Sequence, residues 1–327
     1  MISHRYQFST IHPIRIVAGI LITITLLSGS LHFASYLGLL PSEKKLLDVD
    51  QTIITFQTGA SREIQDSKIL LMGDSTCLMN VSAVDLTARL NDNPKVQNLG
   101  LLSYLDMTTH HQLLSQYLES NETPPHVILL LFHPTSLRRS SSTDYHQRLF
   151  EWAMEGNRED LPNNTYEKIL YWTGMTPFHD CLLNHLVSAP LKQDYARKYG
   201  FTSGILEFMK NHNGSLIHPK QFTPADQPLI SEIRMSDGFK RKAIAFNESI
   251  PKGTTLLFGL TPSPESLTGD TYVKRIIEVS RELKNTLPEA RFLENLPVTL
   301  PDTMFADRHH LNQTGMSRFT EILSEYF

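Results

Sequence analysis

Along most of this chain, short apolar runs closed by glycine or a turn alternate with stretches whose apolar residues recur every three or four positions. The first run is Ile69–Met72, which stops at Gly73-Asp74-Ser75. His126–Phe132 (HVILLLF) and Thr254–Leu260 (TTLLFGL) are further runs of this kind, and Lys95–Gly100 (KVQNLG), ending on glycine, and Ala290–Leu293 read as two more short strands. Runs that are apolar throughout, without alternation, fit strands buried on both faces of a parallel sheet. Between them, Cys77–Leu90, Leu101–Leu118 and Tyr272–Asn285 carry helical spacing, and Gln313–Phe327 supplies a closing helix. Strands and helices in alternation predict an α/β domain with helices on both faces of the sheet. Ser140–Ile250 breaks the rhythm. It is rich in His, Asn, Tyr and Trp, has helix-like pieces around Tyr145–Glu155 and Tyr166–Trp172, and lacks strong strand runs. It reads as a mostly helical insertion, residues 140–250, between the third and fourth strands.

Ahead of the first strand the pattern differs. Residues 1–15 form a polar tail that carries Arg5 and no acidic residue. Arg15 opens the apolar stretch Ile16–Leu27, followed by the softer SGSLHFASYLGLL. As a helix, Ile16–Leu40 is long enough to cross a hydrocarbon layer of roughly 30 Å. The segment therefore predicts a transmembrane anchor, with a signal peptide cleaved near Ser30 as the alternative. Basic residues precede it, while Glu43, Asp48 and Asp50 dilute Lys44 and Lys45 beyond it. The positive-inside rule then predicts a cytoplasmic amino terminus and an extracytoplasmic domain. Residues 41–67 read as a polar, helical connector to a domain spanning 68–327.

Composition narrows the chemistry. Thirty Lys and Arg residues stand against 34 Asp and Glu, so no basic field exists to hold nucleic acid. Two cysteines, Cys77 and Cys181, have no metal-ligand spacing, and buried free thiols are favoured over a disulfide between them. His146, His179, His185, His212 and His218 are scattered without paired spacing. Neither a metal nor a cofactor is expected.

Ser75 falls just past the carboxyl end of the first strand, where open α/β sheets place their ligands; the plainer role there is to cap the next helix. Near the other end, Phe305–Gly315 reads FADRHHLNQTG, with Asp307 and His310 in an Asp-x-x-His spacing. A serine that attacks an acyl carbon needs a base, and the base needs an orienting acid. Together, Gly73-Asp74-Ser75 and Asp307-x-x-His310 resemble the SGNH (GDSL-like) hydrolase superfamily. The resemblance implies a three-layer α/β/α, flavodoxin-like fold with Ser75 as nucleophile, His310 as base and Asp307 as its orienting acid. His309 is the competing base. The resemblance also implies an oxyanion hole from the backbone N–H groups of Ser75 and Gly100. Where the family carries Gly-x-Asn-Asp after its third strand, this chain has FHPTSLRR (Phe132–Arg139), leaving His133, Thr135 or Ser136 to donate instead. Arg138 and Arg139 could meet an anionic substrate there, though a solvated loop is the favoured reading.

With an amino-terminal anchor, the resemblance points to the membrane-anchored cell-envelope branch. The implied activity is O-acyl (acetyl) transfer to or from an envelope polysaccharide through an acyl-Ser75 intermediate. The implied partners are an acylated or acceptor carbohydrate, the lipid bilayer and a multi-pass membrane acyltransferase. A secreted esterase or lipase is the alternative within acyl chemistry. A non-catalytic carbohydrate- or partner-binding module is the alternative outside it.

Overall fold

The apolar runs lie side by side as strands. The computed structural model of the chain describes residues 13–36, 49–156, 205–218, 222–223 and 228–327. Strands β1 (Ile69–Gly73), β2 (Val96–Asn98), β3 (Val127–Phe132), β4 (Thr255–Leu260) and β5 (Arg291–Phe292) form one five-stranded sheet in the order β2-β1-β3-β4-β5. Every pairing is parallel, with Ile69 opposite Val96, Leu71 opposite Leu129 and Leu129 opposite Leu257. A separate two-stranded parallel ladder joins Ser263–Pro264 to Thr299–Leu300.

Successive strand residues face opposite layers. Leu70, Met72, Ile128, Leu130 and Phe258 pack into one core with Leu113 and Tyr117 of helix α5 (Met107–Ser120) and Phe246 of α8 (Asp237–Glu248). Ile69, Leu71, Leu129, Leu131 and Leu257 pack into the other with Leu86 of α4 (Ala83–Arg89) and Phe319 and Leu323 of α10 (Gln313–Ser324). Helices thus cover both faces of the sheet, which is why the three inner strands β1, β3 and β4 read as apolar runs, whereas β2 (VQN) and β5 (RF) at the edges do not.

Two helices depart from their expected bounds, each starting at a local capping side chain. The single helix expected over Cys77–Leu90 is divided into α3 (Ser75–Asn80) and α4 by extended residues Val81 and Ser82. Ser82 caps α4 by accepting from the Asp85 N–H, and its own N–H donates to Thr320 Oγ1 at 3.1 Å. The helix expected from Leu101 begins only at Met107, with Asp106 accepting from the Thr108 N–H at 2.7 Å. Leu101, Leu102 and Leu105 are buried in the loop before it.

The expected connector and insertion are partly integral to the domain. Helix α2 (Val49–Ala60) buries Ile53 and Ile54 and packs on α6 (Asp144–Met154) and α7 (Ile205–Asn211). Helix α8 lies between β3 and β4 in the chain and packs on α5 and on α9 (Tyr272–Thr286), as a crossover helix of the parallel sheet. The piece expected at Tyr166–Trp172, with His179, Cys181 and His185, lies outside the described residues.

The amino-terminal expectation is corrected. Among the described residues no helix is long and apolar enough to cross a membrane. The segment forms α1 (Pro13–Tyr36), which belongs to a unit separate from the sheet domain. Its apolar character is concentrated in Ile16–Leu27, and Ser28, Gly29, Ser30, His32 and Ser35 dilute the remainder of the helix. Leu37–Leu40 of the expected span lie outside the described residues. The transmembrane anchor, its bilayer contact and the topology deduced from them are therefore withdrawn.

Leu129 lies on the central strand β3 and has no exposed surface. Leu129→Ala is expected to destabilise the domain by about 2–5 kcal/mol through lost burial and a residual cavity, read as a lower urea midpoint at unchanged slope.

Candidate active site

The site begins where β1 ends. Gly73 has φ of +145°, and a Cβ there would stand 1.8 Å from the Leu131 carbonyl oxygen, so only glycine lets β1 turn so close to β3. Asp74 fixes the turn. Its Oδ1 accepts from Thr76 N–H at 2.9 Å and Thr76 Oγ1 at 2.6 Å, and its Oδ2 accepts from His133 N–H at 3.0 Å. Ser75 is consequently the first residue of α3, at the carboxyl edge of the sheet, and its amide has no partner from within that helix.

The loop before α10 comes to meet it. An antiparallel bridge between Phe305 and Leu311 closes this loop, and the Ala306 N–H donates to the His310 carbonyl at 2.8 Å. Asp307 Oδ1 accepts from the N–H groups of His309 and His310, both at 2.8 Å, so its Oδ2 is aimed at the His310 ring. His310 Nδ1 lies 2.8 Å from that oxygen, and its Nε2 lies 2.9 Å from Ser75 Oγ. A carboxylate only accepts, so Nδ1 carries the proton and Nε2 accepts from the serine hydroxyl.

Asn80, at the last position of α3, clasps the same loop. Its Oδ1 accepts from Leu311 N–H at 2.8 Å and its Nδ2 donates to the His309 carbonyl at 3.3 Å. Nothing in its sequence surroundings marks this role, because the partner is distant in the chain.

The histidines are electrostatically distinct. Burial opposes a charged His310, but the charge and hydrogen bond of Asp307 outweigh it and raise its pKa above the ordinary 6.5. Burial would raise the Asp307 pKa, yet His310, the His309 amide and His218 together hold the carboxyl far below the usual carboxylate range. Burial and the adjacent His310 charge push His309 down to about 4. Its Nδ1 faces His133 Nε2 at 3.4 Å, and His310 is the ring on Ser75. His218, one of the scattered histidines, stacks on His310 with centroids 6.0 Å apart, and its Nε2 lies 3.7 Å from Asp307 Oδ2.

His133, at the point of departure from Gly-x-Asn-Asp, is buried and belongs to a polar chain. Its Nδ1 accepts from Thr135 N–H at 3.3 Å, so Nε2 bears the proton and donates to Ser263 Oγ at 3.0 Å. Ser263 Oγ in turn lies 2.6 Å from Tyr272 OH. Burial, reinforced by the charges of His309 and His310, holds His133 well below the ordinary histidine pKa.

Gly100 is placed differently from Ser75. Its N–H donates to Asn98 Oδ1 at 2.8 Å, and a Cβ on it would meet Leu78 N at 2.7 Å. The position needs glycine for close packing under α3, and its amide proton is committed to Asn98. Cys77 is a buried free thiol whose pKa burial raises, which suits packing and not nucleophilic attack.

Ser75, His310 and Asp307 open onto a cleft of about 280 Å³, whose walls include Tyr104, His133 and Thr135. Among the described residues, no cluster of His, Cys, Asp or Glu could hold a metal ion. Compared with protein-family models the chain matches none, and no curated protein matches it.

The geometry has two measurable consequences. Asn80→Ala strips the buried Leu311 amide of its acceptor and is expected to cost about 1–3 kcal/mol in urea denaturation. In histidine-resolved NMR titration, His310 is expected to titrate above 6.5, and Asp307→Asn to lower its midpoint, because the stabilising negative charge is removed.

Proposed function

We propose that the chain is a serine-dependent enzyme of acyl-ester chemistry, with a catalytic triad of Ser75, His310 and Asp307. The observation that carries this reading is the unbroken chain of hydrogen bonds from Asp307 through His310 to Ser75 Oγ, 2.8 and 2.9 Å long, facing a cleft. Ser75 Oγ attacks the ester carbonyl carbon as its proton passes to His310 Nε2. Asp307 holds the imidazole in the needed tautomer and stabilises the imidazolium. The tetrahedral oxyanion is drawn toward the Ser75 amide at the start of α3. Collapse expels the alcohol, which takes the proton from His310, and leaves an acyl-Ser75 ester. Water, in an esterase, or a hydroxyl such as that of a carbohydrate, in a transferase, then attacks with His310 as base and regenerates the serine.

The strand order β2-β1-β3-β4-β5 supports a flavodoxin-like winding, whose switch point falls between β1 and β3. Ser75 and His133 follow those two strands. The fold and the triad together support membership of the SGNH (GDSL-like) superfamily, in a branch that lacks the Gly-x-Asn-Asp segment. A binding module without catalysis is the second reading, favoured by one observation: the Gly100 amide is bonded to Asn98 and not free for an oxyanion.

Turnover of p-nitrophenyl acetate and labelling by a fluorophosphonate decide between them. The enzyme reading expects an adduct on Ser75, with labelling lost and turnover reduced by about 10³-fold or more in Ser75→Ala. It also expects kcat/KM to fall as pH drops through a midpoint above 6.5, where His310 gains its proton. A folded wild-type protein with neither turnover nor label establishes the binding module instead.

A further inference from the structure

In the acyl-ester reading the Ser75 amide is one oxyanion donor, but the Gly100 amide is committed to Asn98. The segment after β3 offers no fixed donor in its place. The His133 N–H donates to Asp74 and its Nε2 proton to Ser263, while the Thr135 N–H donates to His133 Nδ1. Thr135 Oγ1, 2.7 Å from that unprotonated nitrogen, donates to it as well. The Ser136 N–H donates to the His133 carbonyl, which leaves only a rotatable hydroxyl.

His309, on the facing loop, is held rigidly. Its N–H donates to Asp307 Oδ1 at 2.8 Å, and its carbonyl accepts from Asn80 Nδ2 at 3.3 Å. Its ring stands edge-to-face with His133, centroids 4.5 Å apart and planes at 71°. His133 Nε2 carries a proton, so the His309 Nδ1 that faces it at 3.4 Å is the accepting nitrogen. Burial holds the His309 pKa down to about 4, so the ring is neutral at neutral pH and bears one N–H. That proton sits on Nε2. Among the described residues nothing hydrogen-bonds to this nitrogen, and it is not sealed from solvent. The ring lines the cleft with Ser75 and His310, its centroid 6.3 Å from that of His310.

We propose that His309 is a further catalytic residue, whose Nε2–H joins the Ser75 amide in holding the oxyanion. The proposal rests on the acyl-ester reading of Ser75. As Ser75 Oγ bonds to the carbonyl carbon, the carbonyl π pair moves onto oxygen and the hydroxyl proton passes to His310. His309 keeps its own proton throughout, and its hydrogen bond strengthens as negative charge grows on the oxygen. A ring that stays neutral suits this task, because it neither competes for the serine proton nor repels the imidazolium of His310.

The first test needs no turnover. Nitrogen-15 NMR of the wild-type protein at neutral pH is expected to show His309 as the Nε2–H tautomer; an Nδ1–H tautomer or an imidazolium overturns the proposal. The second test follows kcat and KM for p-nitrophenyl acetate, and the rate of fluorophosphonate labelling, in His309→Ala, His309→Gln, His309→Asn and Ser136→Ala. The Gln amide nitrogen reaches the place of Nε2, whereas that of Asn reaches only the place of Nδ1. Loss of an oxyanion donor is expected to lower kcat by about 10²–10³-fold in His309→Ala and His309→Asn. KM should change little, with partial recovery in His309→Gln. The pH midpoint set by His310 is expected to stay at its wild-type value, whereas a merely structural histidine would disturb the Asp307 turn and move it. An active wild type with His309→Ala unimpaired, with Gln no better than Asn, or with the loss carried by Ser136→Ala, overturns the assignment and leaves Ser75 as nucleophile. A wild type with neither turnover nor label overturns the acyl-ester reading and this assignment with it.

Discussion

The buried carboxylate of Asp74 joins the two segments on which the cleft is built. One oxygen holds the first turn of α3, and the other takes the first amide after β3. Each of these groups would be stranded without it, because the surroundings exclude water and an unpaired buried polar group is costly. Asp74 therefore does for the backbone what Asp307 does for the His310 ring. It turns a place where two strands end into a fixed platform, with Ser75 on one side and His133 on the other. The close approach that makes this possible depends in turn on Gly73, where no side chain could fit beneath the Leu131 carbonyl.

The chemistry of the site is a matter of unequal environments for like groups. Three histidines crowd the cleft, and all are strongly desolvated, which by itself favours their neutral forms. Only His310 has the Asp307 carboxylate on its ring nitrogen, and only its pKa rises. His133 and His309 lack such a partner and are held below the ordinary value. A single proton acceptor of useful basicity is thereby singled out beside Ser75, while its neighbours serve as uncharged hydrogen-bonding walls. The adjacent His309 and His310 differ in the same way. The Asp-x-x-His turn brings the later ring back onto the carboxylate, whereas the earlier residue contributes only its amide.

How legible each feature is in the sequence depends on how locally it is determined. The strands Ile69–Gly73, Val127–Phe132 and Thr255–Leu260 are evident because burial on two faces leaves no polar position within their cores. Asp307 and His310 are legible because a turn of that spacing is itself sufficient to join them. The division of the helix at Val81 and Ser82 is not legible, since its partner Thr320 lies far along the chain. The same is true of Asn80, whose loop partner is equally remote. The apolar stretch at Ile16–Leu27 shows the opposite difficulty, because apolar composition over a limited run says little about the length of helix that sustains it. Arg138 and Arg139 could not be told apart in the sequence either: the first pairs with Glu232, the second lies beside the Tyr104 ring, and neither lines the cleft.

Helix α3 has a consequence beyond the contacts at its two ends. Its first residue carries the hydroxyl, and its last grips the loop that presents the imidazole. The helix is thus a spacer of set length, advancing about 1.5 Å and turning about 100° per residue. Adding or deleting one residue within it would swing Asn80 off the loop while leaving Ser75 in place, so the two halves of the site would lose register even with every side chain retained. Residue identity along α3 can drift where packing allows, but its length cannot.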